Sequence, residues 1–344
     1  MEPPPASPVD VGTGYDTAPG PADPQDASRA TAERFAALVD AGSLRLPLPG
    51  AGRTRERFHA LCRLGRHDLC VARLAEGHVD AVAILAELGG PKVKPGERWG
   101  VWAAHPPGPG LKAVGRSADW RLTGVKPYCS GARICTHALV TADTAQGRRL
   151  FAVPVGDRGV LAMPGTWQAV GMAGSDSLDV TFHDVPAEPV GDVGGYVRRP
   201  GFQHGGIGVA ACWLGGAQAV TATLVTESGR RGLDEHAAAH LGRADVLLHT
   251  AEVLLGHAAD EIDGDPDDRH GGARVRSLRV RGLVELVCTE VLQHVGRATG
   301  AGPLCRDAAH ARAVADLTVY LRQHHAERDY AVLGNLLAGD GRAP

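Results

Sequence analysis

Histidine is the side chain best suited to proton transfer near neutral pH, and the chain contains 16 of them. An unperturbed imidazole has a pKa of about 6.5, so it can act as an acid or a base in the physiological range. His204 and His310 are two candidates for such a role, and Glu327 is a candidate carboxylate base. With so many histidines, coincidences are common. An exposed position on a helix is therefore the alternative interpretation for His310 and Glu327.

Other residue patterns suggest binding or metal chemistry. Arg230 and Arg231 stand side by side and could pair with a phosphate group, although a solvated pair at a helix start is the alternative. The seven cysteines are scattered, odd in number and free of C-x-x-C pairs, which argues against a disulfide framework and a zinc site. The acidic stretch at 260–268 has the composition of a calcium loop but lacks its terminal Glu. We interpret it as a loop between helices and expect no metal site.

Composition and charge limit the possible partners. The formal net charge of −3 provides no positive field for a phosphate backbone, so nucleic acid is not expected as a partner. We expect no membrane span, because no stretch is long and apolar enough to cross a bilayer. We also expect no signal peptide. A hydrophobic fraction of 44% allows a large core. The sequence predicts a soluble protein in the reducing cytoplasm.

The spacing of apolar residues, which predicts the elements that position these side chains, changes twice along the chain. Residues 1–28 are rich in Pro, Gly and Asp, which predicts a disordered tail. Apolar residues at helical spacing predict an N-terminal helical domain over 29–90, and short alternating segments predict a middle antiparallel β-barrel or sandwich over 91–197. Long helices with short connections predict a C-terminal antiparallel bundle over 198–340. The predicted fold class is α+β.

Three short motifs follow one another along the chain. The first reads W-R-L-T-G-V-K-P-Y-C-S-G-A at 120–132. The second is G-M-A-G-S-D-S at 171–177, followed by a strand that ends in D-V-P at 184–186, and the third is P-L-C-R-D at 303–307. Each motif is weak alone. Their order and spacing resemble the acyl-CoA dehydrogenase family over about residues 30–337.

The resemblance implies a flavoprotein in which FAD lies between the β domain and the C-terminal bundle, with its adenine end held by a neighbouring subunit. It implies a homodimer or homotetramer formed through the bundle, acting on an acyl thioester of CoA or a carrier protein, or on another small molecule. Tyr128 would pack against the flavin ring and Ser130 would bond its polar edge, although an ordinary strand aromatic is the alternative for Tyr128. The implied cofactor-binding residues are Trp102, His105, Tyr128, Cys129, Ser130, Arg230, Arg231 and Gln293.

Dehydrogenation of a thioester needs a carboxylate that takes the α-proton while hydride passes to the flavin. The resemblance places this Glu at one of two positions, where the chain has Leu321 and Gly205. His204, beside the second position, is the nearest substitute, and Glu327 is a further candidate. Flavin-dependent monooxygenases of the same fold need no such base and often carry a histidine soon after the R-D motif, where His310 stands. FAD-dependent α,β-dehydrogenation is the main prediction, with a flavin monooxygenase or an inactive partner subunit as alternatives.

Overall fold

The computed structural model describes residues 24–105, 108, 110–117 and 119–339, apart from the side chains of 24–26, 230 and 231. It begins with three helices, α1 (Pro24–Asp40), α2 (Thr54–His67) and α3 (Leu69–Leu88). Helix α3 starts where the Asp68 carboxylate accepts hydrogen bonds from two backbone amides, and it ends at Gly89, whose φ of 69° is left-handed. The predicted tail over 1–28 overlaps the start of α1, and residues 1–23 lie outside the described part.

The middle of the chain is one sheet that closes on itself. Hydrogen bonding follows the strand order β1-β4-β2-β3-β7-β5, with β6 added beside β7, and β5 also pairs with β4. The strands β4, β2, β3, β7 and β5 therefore form a barrel. Trp102, Phe151 and Phe182 belong to its buried core. The strands are β1 (Trp99–Trp102), β2 (Lys112–Arg116), β3 (Asp119–Cys129), β4 (His137–Thr144), β5 (Gly147–Pro154), β6 (Val160–Met163) and β7 (Leu178–Val190).

The strand directions depart from the prediction at one edge of the barrel. Most neighbouring strands are antiparallel, as predicted. However, β4 pairs in parallel with β1, and it also pairs in parallel with β2 where Asp143 lies opposite Lys112. Parallel neighbours need a long connection, and the β2–β3 hairpin lies between β1 and β4 in the chain. Strands β2 and β6 were not predicted, because segments of five and four residues hold too few alternating positions to be recognised.

The C-terminal part is a helix bundle, as predicted. Its central helix, α5, packs against α2, α3, α6, α7 and α9. The expectation that no segment could span a membrane is wrong by composition, because Pro200–Gly229 is long and apolar enough. However, 78% of its most apolar stretch is buried inside the protein, as in a core helix. The helices are α4 (Gly195–Arg198), α5 (Pro200–Arg231), α6 (Glu235–Gly264), α7 (Ala273–Thr299), α8 (Gly302–Arg306), α9 (Ala308–Tyr320) and α10 (Glu327–Gly339).

Asp316 of α9 joins the barrel to the helices. Its carboxylate accepts a hydrogen bond from the Met172 amide, in the segment between β6 and β7, and the Cys70 thiol of α3 donates to it at 3.8 Å. The adjacent Gly171 packs so closely that a Cβ built there would collide with the Ala315 carbonyl oxygen. One buried carboxylate thus connects the N-terminal helices, the barrel and the bundle.

Replacing Asp316 by Asn should flatten the pH dependence of stability in the acidic range. Burial raises the pKa of this carboxyl from 3.8 to about 6, so the folded protein holds the proton more tightly than the unfolded chain does. The wild type should therefore lose up to about 3 kcal/mol of stability from this group as the pH rises between these two pKa values. The variant keeps an oxygen for the Met172 amide but does not titrate. Urea unfolding across this range measures the difference, and parallel pH profiles would contradict the prediction.

Candidate functional site

The end of β3 presents Tyr128 at the protein surface. Its φ of 57° is left-handed, which is uncommon for a bulky residue, and its amide donates to Asp179 Oδ1 at 3.3 Å. The Tyr128 side chain is 56% exposed, whereas Cys129 is fully buried. Burial raises the pKa of the Cys129 thiol well above its ordinary value. Of these two predicted contacts, only Tyr128 is open to a ligand.

Ser130 and Trp102 lie beneath this turn. The Ser130 hydroxyl is 2.9 Å from that of Ser177, which in turn lies 2.8 Å from the Ser175 hydroxyl. The indole N–H of Trp102 donates to the Ser130 carbonyl at 3.0 Å. Trp102 is buried in the barrel core, so it supports the turn and does not face a ligand. The prediction that Trp102 contacts the cofactor thus disagrees with its placement.

A pocket of about 130 Å³ opens at the barrel rim beside Tyr128. Lys126 donates to the carbonyl and the hydroxyl of Thr141 at 2.8 and 2.7 Å, and burial lowers the pKa of its ammonium to about 8. Arg148 is paired with Asp143 at 2.9 Å and donates to His105 Nε2 at 2.5 Å. His105 must therefore carry its proton on Nδ1. The described lining consists of residues 104, 105, 108, 110, 111, 125–127, 141, 143 and 148.

The chemistry of this lining fits the polar edge of a flavin ring. Lys126 and Arg148 supply positive charge and N–H donors, and the exposed Tyr128 follows the lining residue Pro127 in the chain. The pocket is smaller than the roughly 300–1,000 Å³ of ordinary ligand sites, so it would hold one edge of the ring rather than all of it. His105 is the predicted cofactor contact that lines the pocket directly.

The three predicted proton-transfer residues lie outside this pocket lining. His204 is buried, and its Nε2 donates to the Pro266 carbonyl at 3.1 Å. Its deprotonated Nδ1 has no partner among the residues that the structure describes. His310 is also buried and bonds Thr223 Oγ1 through Nδ1 at 2.9 Å. Burial lowers the pKa of both imidazoles. Glu327 is exposed at the first position of α10.

The remaining predicted contacts are on the bundle. Gln293 is exposed on α7, away from the described pocket lining. Arg230 and Arg231 are the last residues of α5, and their side chains lie outside the described part of the structure. The acidic stretch at 260–268 was predicted to be a loop, but its first five residues form the end of α6. Asp263 within it accepts hydrogen bonds from the Thr54 amide and hydroxyl at the start of α2. Among the described residues, no three His, Cys, Asp or Glu side chains are grouped to hold a metal.

The sequence interpretation missed a row of charged side chains in the interior. Arg73, Glu76 and Asp80 recur at intervals of three and four residues along the otherwise apolar helix α3, so they share one face. Arg73 pairs with Glu76 at 2.6 Å, and Arg199 lies 3.5 Å from Asp80 and 2.8 Å from Glu87. Burial raises the pKa of Glu76 to about 7. The helical spacing of these charges was the signal that could have revealed them.

Two curated proteins match part of the chain. Amino sugar nitrososynthase RubN8 of Streptomyces rubradiris is 30% identical over 227 residues, which are 57% of this chain and 53% of that protein. Acyl-CoA dehydrogenase FadE27 of Mycobacterium tuberculosis is 31% identical over 147 residues, which are 37% of this chain and 38% of that protein. The match therefore spans about half, or less, of the length of these relatives. No protein-family model matches the chain.

Solved structures match nearly the whole chain. Methanesulfinate monooxygenase MsuC from Pseudomonas fluorescens has a TM-score of 0.76 at 17% identity, over 94% of this chain and 98% of that one. KijD3, in complex with FMN and a dTDP-linked amino sugar, has a TM-score of 0.75 at 19% identity, over 93% of this chain and 89% of that one. XiaF from Streptomyces, in complex with FADH2 and glycerol, has a TM-score of 0.71 at 20% identity, over 92% of this chain and 91% of that one. The chain has an acyl-CoA dehydrogenase-like fold, which confirms the predicted fold class.

Proposed function

We propose that this chain, which has an acyl-CoA dehydrogenase-like fold, is a flavin-dependent monooxygenase. The observation that carries the proposal is the lack of a carboxylate at both positions where the resemblance places the base for dehydrogenation. Leu321 is a buried apolar residue, and position 205 is a glycine. The carboxylate nearest to Gly205 is Asp80, which is held in an ion pair with Arg199. The histidine beside it, His204, is bonded to Pro266.

Oxygenation makes different demands on the protein. A bound reduced flavin would supply two electrons to O2, so that one oxygen atom enters the substrate and the other leaves as water. No α-proton has to be removed, so the absence of a carboxylate at positions 205 and 321 is no obstacle. The likeness to a methanesulfinate monooxygenase and a partial match to a nitrososynthase support this function over the main sequence prediction.

The residues at the barrel rim would hold the flavin by its edge and one face. Lys126 and Arg148 would donate hydrogen bonds to the polar edge, and Tyr128 would cover the ring and exclude water. FAD remains the predicted cofactor, with FMN as the alternative, since KijD3 is described with FMN and XiaF with FADH2.

Completion of the site by a second copy of the chain is also proposed. A homodimer or homotetramer through the bundle would shield apolar side chains that are about half exposed, namely Val246 and Val253 of α6 and Leu286 of α7. We also keep the cytoplasm as the proposed location and a small molecule as the proposed substrate.

The proposal is tested with purified protein and reduced flavin. Binding of FAD and of FMN is first measured in both redox states by equilibrium dialysis. The reduced complex is then mixed with ¹⁸O2 and candidate substrates, and mass spectrometry should show one labelled oxygen atom in the product. Anaerobic bleaching of the oxidised flavin by an acyl thioester would instead support dehydrogenation. A protein that takes up neither flavin would favour the inactive partner subunit.

Tyr128→Ala should weaken flavin binding about tenfold, because it removes the aromatic face beside the ring. The side chain is 56% exposed, so its removal should leave the stability of the fold almost unchanged. Equilibrium dialysis measures the affinity, and Tyr128→Phe is the matched control. We expect the phenylalanine variant to bind flavin like the wild type, since it keeps the ring. Equal affinity of the alanine variant and the wild type would place the flavin elsewhere.

A further inference from the structure

Three hydrogen-bond donors in the interior between α3, α5 and α9 have no acceptor in the part of the chain that the structure describes. They are the Trp213 indole N–H, the Tyr320 hydroxyl and the Arg73 Nε–H, each closed to solvent within the described structure. Trp213 is 0% exposed and Tyr320 is 2% exposed. Buried donors are almost always paired, because an unpaired one loses its hydrogen bond to water without replacement. Three unpaired donors in one place therefore indicate a missing acceptor.

These donors belong to one cluster, which we define as Arg73, Trp213, Arg281 and Tyr320. The rings of Trp213 and Tyr320 are 6.2 Å apart, and the Arg281 guanidinium lies 4.7 Å from the centre of the Trp213 ring. Burial raises the pKa of the Tyr320 hydroxyl well above its ordinary value, whereas the nearby Arg73 and Arg281 act in the opposite direction. Tyr320 therefore remains a neutral hydroxyl that can donate.

The charge of the cluster indicates which kind of acceptor is missing. Arg281 donates to two carbonyl oxygens, those of Gly206 at 2.7 Å and Gln323 at 3.1 Å. Among the described residues, it forms no ion pair with a carboxylate. The counter-ion of Arg73 is Glu76, at 2.6 Å. Burial raises the pKa of Glu76 to about 7, so this carboxyl is partly protonated at neutral pH. Two guanidinium groups beside one partly protonated carboxyl, together with three free donors, favour an anion with oxygen acceptors.

We propose that the cluster of Arg73, Trp213, Arg281 and Tyr320 binds an oxyanion group of the substrate, which is then a small organic anion such as a carboxylate or a sulfinate. That the anion belongs to the substrate rests on the proposed function, whereas the binding of an anion does not. The cluster adjoins the turn that follows Tyr128, because Leu74, the residue after Arg73, would lie 3.1 Å from a Cβ built on Gly131. A Cβ built on Gly131, in that turn, would lie 2.8 Å from the Cys135 sulfur.

The anion site can be tested without flavin, using formate as the probe. Thermal unfolding of the full chain is followed while sodium formate replaces sodium chloride at constant ionic strength. Formate should raise the Tm of the wild type, because a ligand that binds the folded state stabilises it. Tyr320→Phe removes one donor that has no partner among the described residues, so the variant should fold. It should need about tenfold more formate for the same rise, since hydrogen bonds to charged groups are strong.

Tyr330→Phe is the matched control, because Tyr330 is 44% exposed and donates to the Gly282 carbonyl at 3.2 Å. It should respond to formate like the wild type. An equal response of Tyr320→Phe and the wild type, or no response of either, would overturn the anion site and leave water as the acceptor. A response that depends on Tyr320, in a protein that fails the ¹⁸O2 assay, would keep the anion site and reject the monooxygenase. If both tests succeed, Tyr320→Phe should also raise the KM for an anionic substrate about tenfold.

Discussion

Replacing Arg73 by Leu should destabilise the protein by about 3–5 kcal/mol, because it leaves the carboxylate of Glu76 buried without its ion-pair partner. The two side chains are 15% and 6% exposed and lie 2.6 Å apart. The loss should grow as the pH rises. Burial already raises the pKa of Glu76 to about 7, and removal of Arg73 should raise this pKa further. At a pH above this pKa, the folded variant must hold the charged carboxylate in its interior. Urea unfolding on both sides of this pKa measures the effect.

Two further variants separate the buried charge from other effects of the substitution. Arg73→Leu combined with Glu76→Gln should recover much of the stability, since the uncompensated charge is gone. Arg53→Leu is the matched exposed control, because Arg53, the residue before α2, and Glu56 of α2 form a pair with the same three-residue spacing but are 66% and 51% exposed. That substitution should change stability by less than about 1 kcal/mol. Equal losses from Arg73→Leu and Arg53→Leu would mean that the interior pair is solvated.

The sequence predicted the order of the elements because each carries its own hydrophobic period. Helix α3 and strand β3, for example, are recognised from residues that are neighbours in the chain. The parallel pairing of β1 with β4 was not predictable in this way. It depends on strands that are separated by the β2–β3 hairpin, and no local pattern records which strands meet when a barrel closes.

The candidate site was predicted in part for the same reason. Tyr128 was found through a motif that reads along one strand, and His105 through the resemblance to a known family. Lys126 and Arg148 meet only because β3, β4 and β5 curve around one pocket, so they were missed. The charges of α3 were visible in the sequence at helical spacing, but an apolar helix invites the assumption that its charges face solvent. The structure instead buries Glu76, with a pKa of about 7, beside the donors of the proposed anion site.

The crossing of α2 and α5 is a close backbone contact that helps to hold this interior in place. A Cβ built on Gly215 of α5 would collide with the Cys62 carbonyl oxygen and lie 2.7 Å from the Arg66 amide nitrogen. A Cβ on Gly65 of α2 would likewise collide with the Cys212 carbonyl oxygen. Both obstacles are backbone, so the helices can accommodate a methyl group only by moving apart. Such movement would shift Trp213, which lies between these contact points on α5.

Gly215→Ala should therefore destabilise the protein by about 3 kcal/mol or more, although alanine favours a helix over glycine. Gly242→Ala on α6 is the matched control, because a Cβ there meets no described atom within 4 Å. That variant should be more stable than the wild type by about 0.5–1 kcal/mol. Urea unfolding measures both changes, and the opposite signs distinguish a steric cost from helix propensity. The formate response should weaken with the first variant and persist with the second, because only the first displaces Trp213. Stabilisation by both substitutions would show that α2 and α5 can separate freely and that their contact does not position the interior donors.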